Sequence, residues 1–84
     1  MPQVTITADG KPVNIPDTPV RATNQNGLMD ATTYQCYAPL RDGAHTLNAT
    51  SNMPDVKIHV SPIVEGRATV KATYNGKTKT FLIN

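Results

Sequence analysis

This sequence predicts an all-β fold, a small antiparallel β-sandwich of about seven short strands, and three observations carry that expectation. Threonine and valine recur along the chain, and both suit a pleated, half-buried surface. Seven prolines and five glycines in 84 residues cut the chain into brief segments. Turn signals fall about every 8–12 residues, the spacing of short strands in a sandwich or small barrel. No segment carries the period of a long helix. The length gives room for one domain, residues 1–84, and one core. A chain this short buries only about 60–65% of its unfolded surface, so modest stability is expected. With three Tyr, one Phe and no Trp, the core must be assembled from Val, Ile, Leu and Ala.

The elements follow in order. Val4–Thr7 alternates and meets Asp9-Gly10, a two-residue hairpin turn. That turn sets Ile6 opposite Val13 and Val4 opposite Ile15, with the apolar residues on one face. Pro12 lacks an N–H, which makes the returning strand an edge, and Pro16 and Pro19 end it. Val20–Thr23 is a short strand, Asn24–Gly27 a polar turn. Leu28–Thr32 has no clear period and reads as a loop with room for one helical turn. Thr33–Tyr37 alternates, with Tyr34, Cys36 and Ala38 sharing a face. Pro39–Gly43 is a turn. His45–Thr50 is a strand with Leu47 and Ala49 inward, and Ser51–Pro54 a loop. Val56–Val60 is the cleanest half-buried strand, with Val56, Ile58 and Val60 inward and Lys57 and His59 outward. Ser61–Gly66 is a connection.

Arg67–Ile83 is the best-specified piece. Asn75-Gly76 suits a type I′ turn, whose two central residues both need φ > 0. The register then sets Tyr74 against Lys77, Val70 against Phe81 and Ala68 against Ile83. Thr69, Lys71 and Thr73 fall on the opposite face, against Leu82, Thr80 and Thr78. A one-residue slip would scramble both faces, so the pairing is well specified. Phe81 is expected at the centre of the core. The tip with Lys77 is expected to project beyond it.

The charge is +2 and the eight basic residues are scattered singly. A dedicated nucleic-acid binder gathers its positive charge on one face, so nucleic acid is an unlikely partner. Cys36 is the sole cysteine, which rules out an intrachain disulfide. Its alternating surroundings predict a small buried apolar residue. No leader-like basic and apolar region opens the chain, and no apolar run approaches the length of a membrane span. A product of the cytoplasm without a membrane segment is expected, in which the Asn48–Thr50 sequon is accidental. His45, His59 and Cys36 lack the spacing of a metal site. Asp9 and Asp42 are explained by turn chemistry. Asp55 and Glu65 sit in loops, and no nucleophile, base and orienter come together. No enzyme activity, metal or cofactor is expected. Candidate partner-binding residues are Tyr34 and Tyr37, which lie on opposite parities beside Cys36, Leu28 and Met29 in the long middle segment, and Lys77 and Lys79 near the hairpin tip. The face carrying Lys57, His59, Lys71 and the threonines 69, 73, 78 and 80 is either solvated or turned toward a partner.

Glu65–Ile83 resembles the closing hairpin of bacterial immunoglobulin-like domains of the Big type, in which a Gly-led alternating strand, an Asn-Gly turn and a last alternating strand finish the sandwich. Ala8–Val13 is similar to their opening turn, and Asp42–Thr50 to a recurrent Asp-Gly-x-His-Thr-Leu strand. These segments cover about half the chain, while the segment from Val20 to Leu40 matches no part of the pattern, and about three strands follow the Asp-Gly-x-His segment where many families have it last or next to last. The resemblance implies an immunoglobulin-like sandwich without catalysis. Such domains occur as tandem copies in adhesins and as small proteins that decorate phage capsids or tails. A chain beginning at Met1 without a leader and closing after its last strand fits the second group. The expected function is therefore that of a phage capsid decoration or accessory virion protein, made in the host cytoplasm and resident on the virion. Its partner would be a major capsid or other virion protein, with a homo-oligomer possible. The alternatives are a carbohydrate- or protein-binding module of a larger adhesin, and a small intracellular inhibitor of an enzyme.

Overall fold

The computed structural model describes residues 3–23, 29–38, 40 and 46–84, and for residues 21–23 and 29–32 the backbone alone. Asn24–Leu28 and most of the expected turn at Pro39–Gly43 lie outside the described residues. The described chain is all β. It forms β1 (Val4–Ala8), β2 (Lys11–Pro12), β3 (Val20–Thr23), β4 (Met29–Cys36), β5 (Leu47–Ser51), β6 (Lys57–Val60), β7 (Ala68–Tyr74) and β8 (Lys77–Ile83). Two sheets result, β2-β1-β5 and β3-β4-β8-β7-β6. They pack face to face as a small β-sandwich, with Ile6 and Val13 from one sheet and Cys36, Val70, Ala72, Phe81 and Ile83 from the other in one buried cluster.

The first hairpin turns at Asp9 (φ 53°) and Gly10 (φ 80°), the pattern of a type I′ turn. Ala8 pairs with Lys11 and Thr7 with Pro12, and the Val13 N–H donates to the Ile6 carbonyl at 2.8 Å. Pro12 therefore stands at a position that owes β1 no hydrogen bond, and β2 is an edge strand as expected. Beyond Val13 the chain leaves β1, and Asn14 forms an isolated bridge with Tyr37. The same segment thus touches both sheets and helps close one side of the sandwich.

Side-chain and backbone bonds tie β5 to both ends of β1. The Thr46 N–H donates to the Asp9 carboxylate at 2.8 Å, and the Asp9 N–H to the Thr46 carbonyl at 2.9 Å. At the far end Gln3 N–H donates to the Asn52 side-chain oxygen at 2.7 Å. Asp9 thus shapes the turn and also anchors the next strand of its sheet.

In the larger sheet every expected pair of the Asn75-Gly76 hairpin is observed, from Ala68 with Ile83 to Tyr74 with Lys77. Phe81 is 3% exposed and packs in the core. β6 joins β7 with His59 opposite Lys71 and Val60 opposite Val70. Where Pro62 stops β6, Ser61 prolongs the ladder: its N–H donates to the Thr69 carbonyl at 2.9 Å, and its Oγ accepts the Thr69 N–H at 2.7 Å.

Four features depart from the sequence reading. Val4 and Ile15, expected opposite each other, do not pair, because β2 ends at Pro12. Met29–Thr32, expected as a loop with a helical turn, is the first half of β4, paired with β3 across an irregular register. Glu65-Gly66, expected within a plain connection, is a third tight turn (φ 53° and 72°) closed by mutual Val64–Arg67 hydrogen bonds of 2.9 and 3.0 Å. Glutamate is a poor marker of φ > 0, which is why the turn does not announce itself. Lastly, β4 runs parallel to β8, with Tyr34 beside Phe81 and Cys36 beside Ile83. The Asn84 carbonyl accepts the Ala38 N–H at 2.6 Å and extends that pairing. All other strand pairs are antiparallel.

Candidate binding face

The outer side of the five-stranded sheet is built by alternation. Cys36, Ala68, Val70, Ala72, Phe81 and Ile83 point inward and are buried, so their neighbours point outward. The observed registers arrange these neighbours in rows. One row crosses all five strands: Val20, Thr33, Thr80, Lys71, His59. A second holds Gln35, Leu82 and Thr69, continued by Ser61. A third holds Thr78, Thr73 and Lys57, in which the two threonine hydroxyls lie 3.1 Å apart. Arg67 precedes buried Ala68 and so points the same way, and Val64 bridges to it.

The exposed large apolar residues among those described are Tyr37 at 74%, Val64 at 60%, Val20 at 47% and Leu82 at 38%. Val20, Leu82 and Val64 belong to this outer side or its continuation. Tyr37 stands at its corner, where β4 runs past Cys36 toward Pro12 and Val13. The outer side of the smaller sheet differs. It shows Thr5, Thr7, Asn48 and Thr50, with the Pro12 ring on its edge strand, and none of the exposed large apolar residues among those described. The two outer surfaces are thus chemically unequal. Between Gln35, Arg67, Thr69 and Leu82 the larger one is indented by a groove of about 400 Å³.

The residues singled out from the sequence are dispersed. Leu28 lies outside the described residues, and Met29 is the first residue of β4, opposite Thr23. Tyr34 points inward, stacked on Phe81 with ring centroids 5.3 Å apart and planes 15° apart. Lys79 places its Nζ 5.9 Å from the centre of the Tyr34 ring. Those two meet at a groove of about 400 Å³ that also touches Val4, Ile15, Pro16 and Asp17. Lys77 is exposed at the hairpin tip, opposite Tyr74. Tyr37 is exposed at the corner, far along β4 from the tip. Sequence reasoning passed over Val20, Val64 and Leu82. Leu82 did carry a signal: it is the one large apolar residue on a strand face otherwise made of threonines.

Cys36 is fully buried, as expected, and burial pushes its thiol pKa up. It lies on the inner side of the sheet, whereas His59 is exposed on the outer side, so the two cannot share a metal ion. His45 lies outside the described residues. Among the described residues no three His, Cys, Asp or Glu side chains gather into a metal-binding group.

No family model, curated protein or solved structure matches the chain.

Proposed function

We propose that the chain is a non-enzymatic structural module that docks on another protein through the outer side of its five-stranded sheet. One observation carries the reading: the exposed large apolar residues collect on that side and its corner, while the opposite sheet is polar outside. Thr33 and Gln35 of β4 stand between Val20 and Leu82, and Arg67 lies beside Val64, so apolar and polar groups mix on this side as they do in protein interfaces. Tyr and Arg, both present at the margin, are favoured where binding energy concentrates.

The finer reading is a capsid decoration or accessory virion protein bound to a repetitive protein lattice. It is supported by the resemblance of Ala8–Val13, Asp42–Thr50 and Glu65–Ile83 to immunoglobulin-like domains of that kind. Size supports it as well. Five strands about 4.8 Å apart and three rows about 6.8 Å apart give a face of roughly 400 Å². A standard interface buries about 800 Å² per partner. A face of half that size gains from many copies on one particle, where avidity replaces single-site affinity. Mass spectrometry of purified virions from the genome that encodes this chain tests the reading. Peptides at a fixed ratio to the major capsid or tail protein are expected, and their absence sinks the virion assignment.

A further inference from the structure

We infer that the outer side of the five-stranded sheet takes an acidic protein surface, with carboxylates opposite Lys57, Arg67 and Lys71 and apolar side chains opposite Val20, Val64 and Leu82. The inference rests on the docking reading above and names the chemistry of the partner.

Charge and register carry it. Lys57, Arg67 and Lys71 are all exposed and stand on or beside successive rows of one sheet surface. No carboxylate whose side chain is described stands on those rows. Asp9, Asp17, Asp55 and Glu65 all lie in turns or bends. Among the described side chains the only charges on the strand rows are therefore cations, with Glu65 beside them in the Val64–Arg67 turn. Threonine hydroxyls at 73, 78 and 80 add short hydrogen-bonding groups between the cations. A surface of fixed positive charge meets a negative partner faster and in a defined orientation.

Two other occupants fit less well. A nucleic acid would be tracked by more phosphate contacts than three cations supply, and the bases of a single strand would need aromatic platforms. The rows carry one imidazole, His59, Tyr37 stands apart at the corner, and Tyr34 is stacked inward on Phe81. A second copy using the same face would set like charges against each other, because a two-fold interface is self-complementary. The exposed valines and leucine need an apolar counterpart, which a protein surface provides.

The test uses the whole chain and three probes at near-physiological salt: a random copolymer of glutamate and tyrosine, polyglutamate, and duplex DNA. The copolymer is expected to bind most tightly, with amide shifts confined to the five strands of the larger sheet and Val64–Arg67. Reversing two charges together, Arg67→Glu with Lys71→Glu, is expected to weaken copolymer binding by about tenfold or more, as for charges facing a charged partner. Lys11→Glu, on the other sheet, is expected to change it by less than about twofold, since separated surface charges are screened. If the reversal variant melts early, Arg67→Gln with Lys71→Gln replaces it and must still weaken binding. Tightest binding to DNA, equal binding of polyglutamate and copolymer, or indifference to both paired variants overturns the inference. So does a concentration-dependent dimer that Leu82→Glu dissolves. The outcomes separate the two readings. A chain present in virions that ignores the copolymer removes the acidic partner and leaves the lattice role. Copolymer binding through this face by a chain missing from virions does the reverse.

Discussion

Phe81 is the chain's one phenylalanine, and three neighbours decide its weight: Val70 across the hairpin, Tyr34 stacked on its ring and Ile83 along the same strand. Truncation to alanine removes a buried aromatic side chain and leaves a cavity, a change that costs about 3–5 kcal/mol. Small domains hold only about 5–15 kcal/mol in all. Phe81→Ala is therefore expected to move the urea midpoint far down, and a variant as stable as the parent would mean that the faces are reversed. Lys77→Ala, at the exposed tip, is expected to stay within about 0.5 kcal/mol in the same titration. The two lysines of this strand illustrate what sequence can resolve. Lys77 and Lys79 share a parity and look alike on paper. Only the arrival of Tyr34 from β4 distinguishes them, by setting an aromatic ring near the Lys79 ammonium.

At the scale of elements, local chemistry decided what was legible. The hairpins at Asp9-Gly10 and Asn75-Gly76 were readable because each joins a two-residue loop to alternating flanks, and loop length fixes register. β5 and β6 were readable from alternation alone. The turn at Glu65-Gly66 was not, since its first residue is atypical. Gly66 nevertheless carries a stronger constraint than the other two turn glycines. All three have φ between 72° and 80°. A Cβ on Gly10 or Gly76 would meet nothing within 4 Å, whereas one on Gly66 would come within 3.3 Å of the Leu40 carbonyl oxygen. Alanine at Gly76 is expected to cost about 1–2 kcal/mol from the left-handed conformation alone. Gly66→Ala is expected to cost more, because a backbone carbonyl must also give way. Thermal melts of the two variants check the order. Equal melting temperatures would show that Leu40 yields freely.

Across the whole molecule the sandwich was legible and its wiring was not. Alternation says which side of a strand faces inward. It says nothing about which distant strand lies alongside, and so the parallel pairing of β4 with β8 left no local trace. The candidate site fared likewise. The threonine and lysine face was visible strand by strand, but its continuity from Val20 to His59 depends on that non-local pair. One whole-molecule property follows from Cys36. Its thiol is sealed between the sheets and its pKa is raised by burial, so the folded state keeps the proton that the unfolded chain gives up near pH 8.5. Unfolding then releases a proton in alkaline solution. The stabilising contribution is complete below about pH 8.5 and is lost as pH climbs toward the folded-state value. A thiol reagent is expected to react only as fast as the protein opens globally. Cys36→Ala is expected to flatten the decline of stability above about pH 8.5. Prompt labelling of the native protein would contradict both.

The position of β8 has a consequence for how the chain is made. The last strand lies in the middle of its sheet, between β4 and β7. Until it arrives, β3-β4 and β6-β7 are two separate ribbons with open flanks, and each is too small to persist alone in water. A growing chain therefore cannot assemble the larger sheet piece by piece. It must hold the other strands of that sheet uncommitted until Lys77–Ile83 emerges and then close around that segment in a single event. Any break before Lys77 does more than trim the sheet at its border, because it divides the sheet in two.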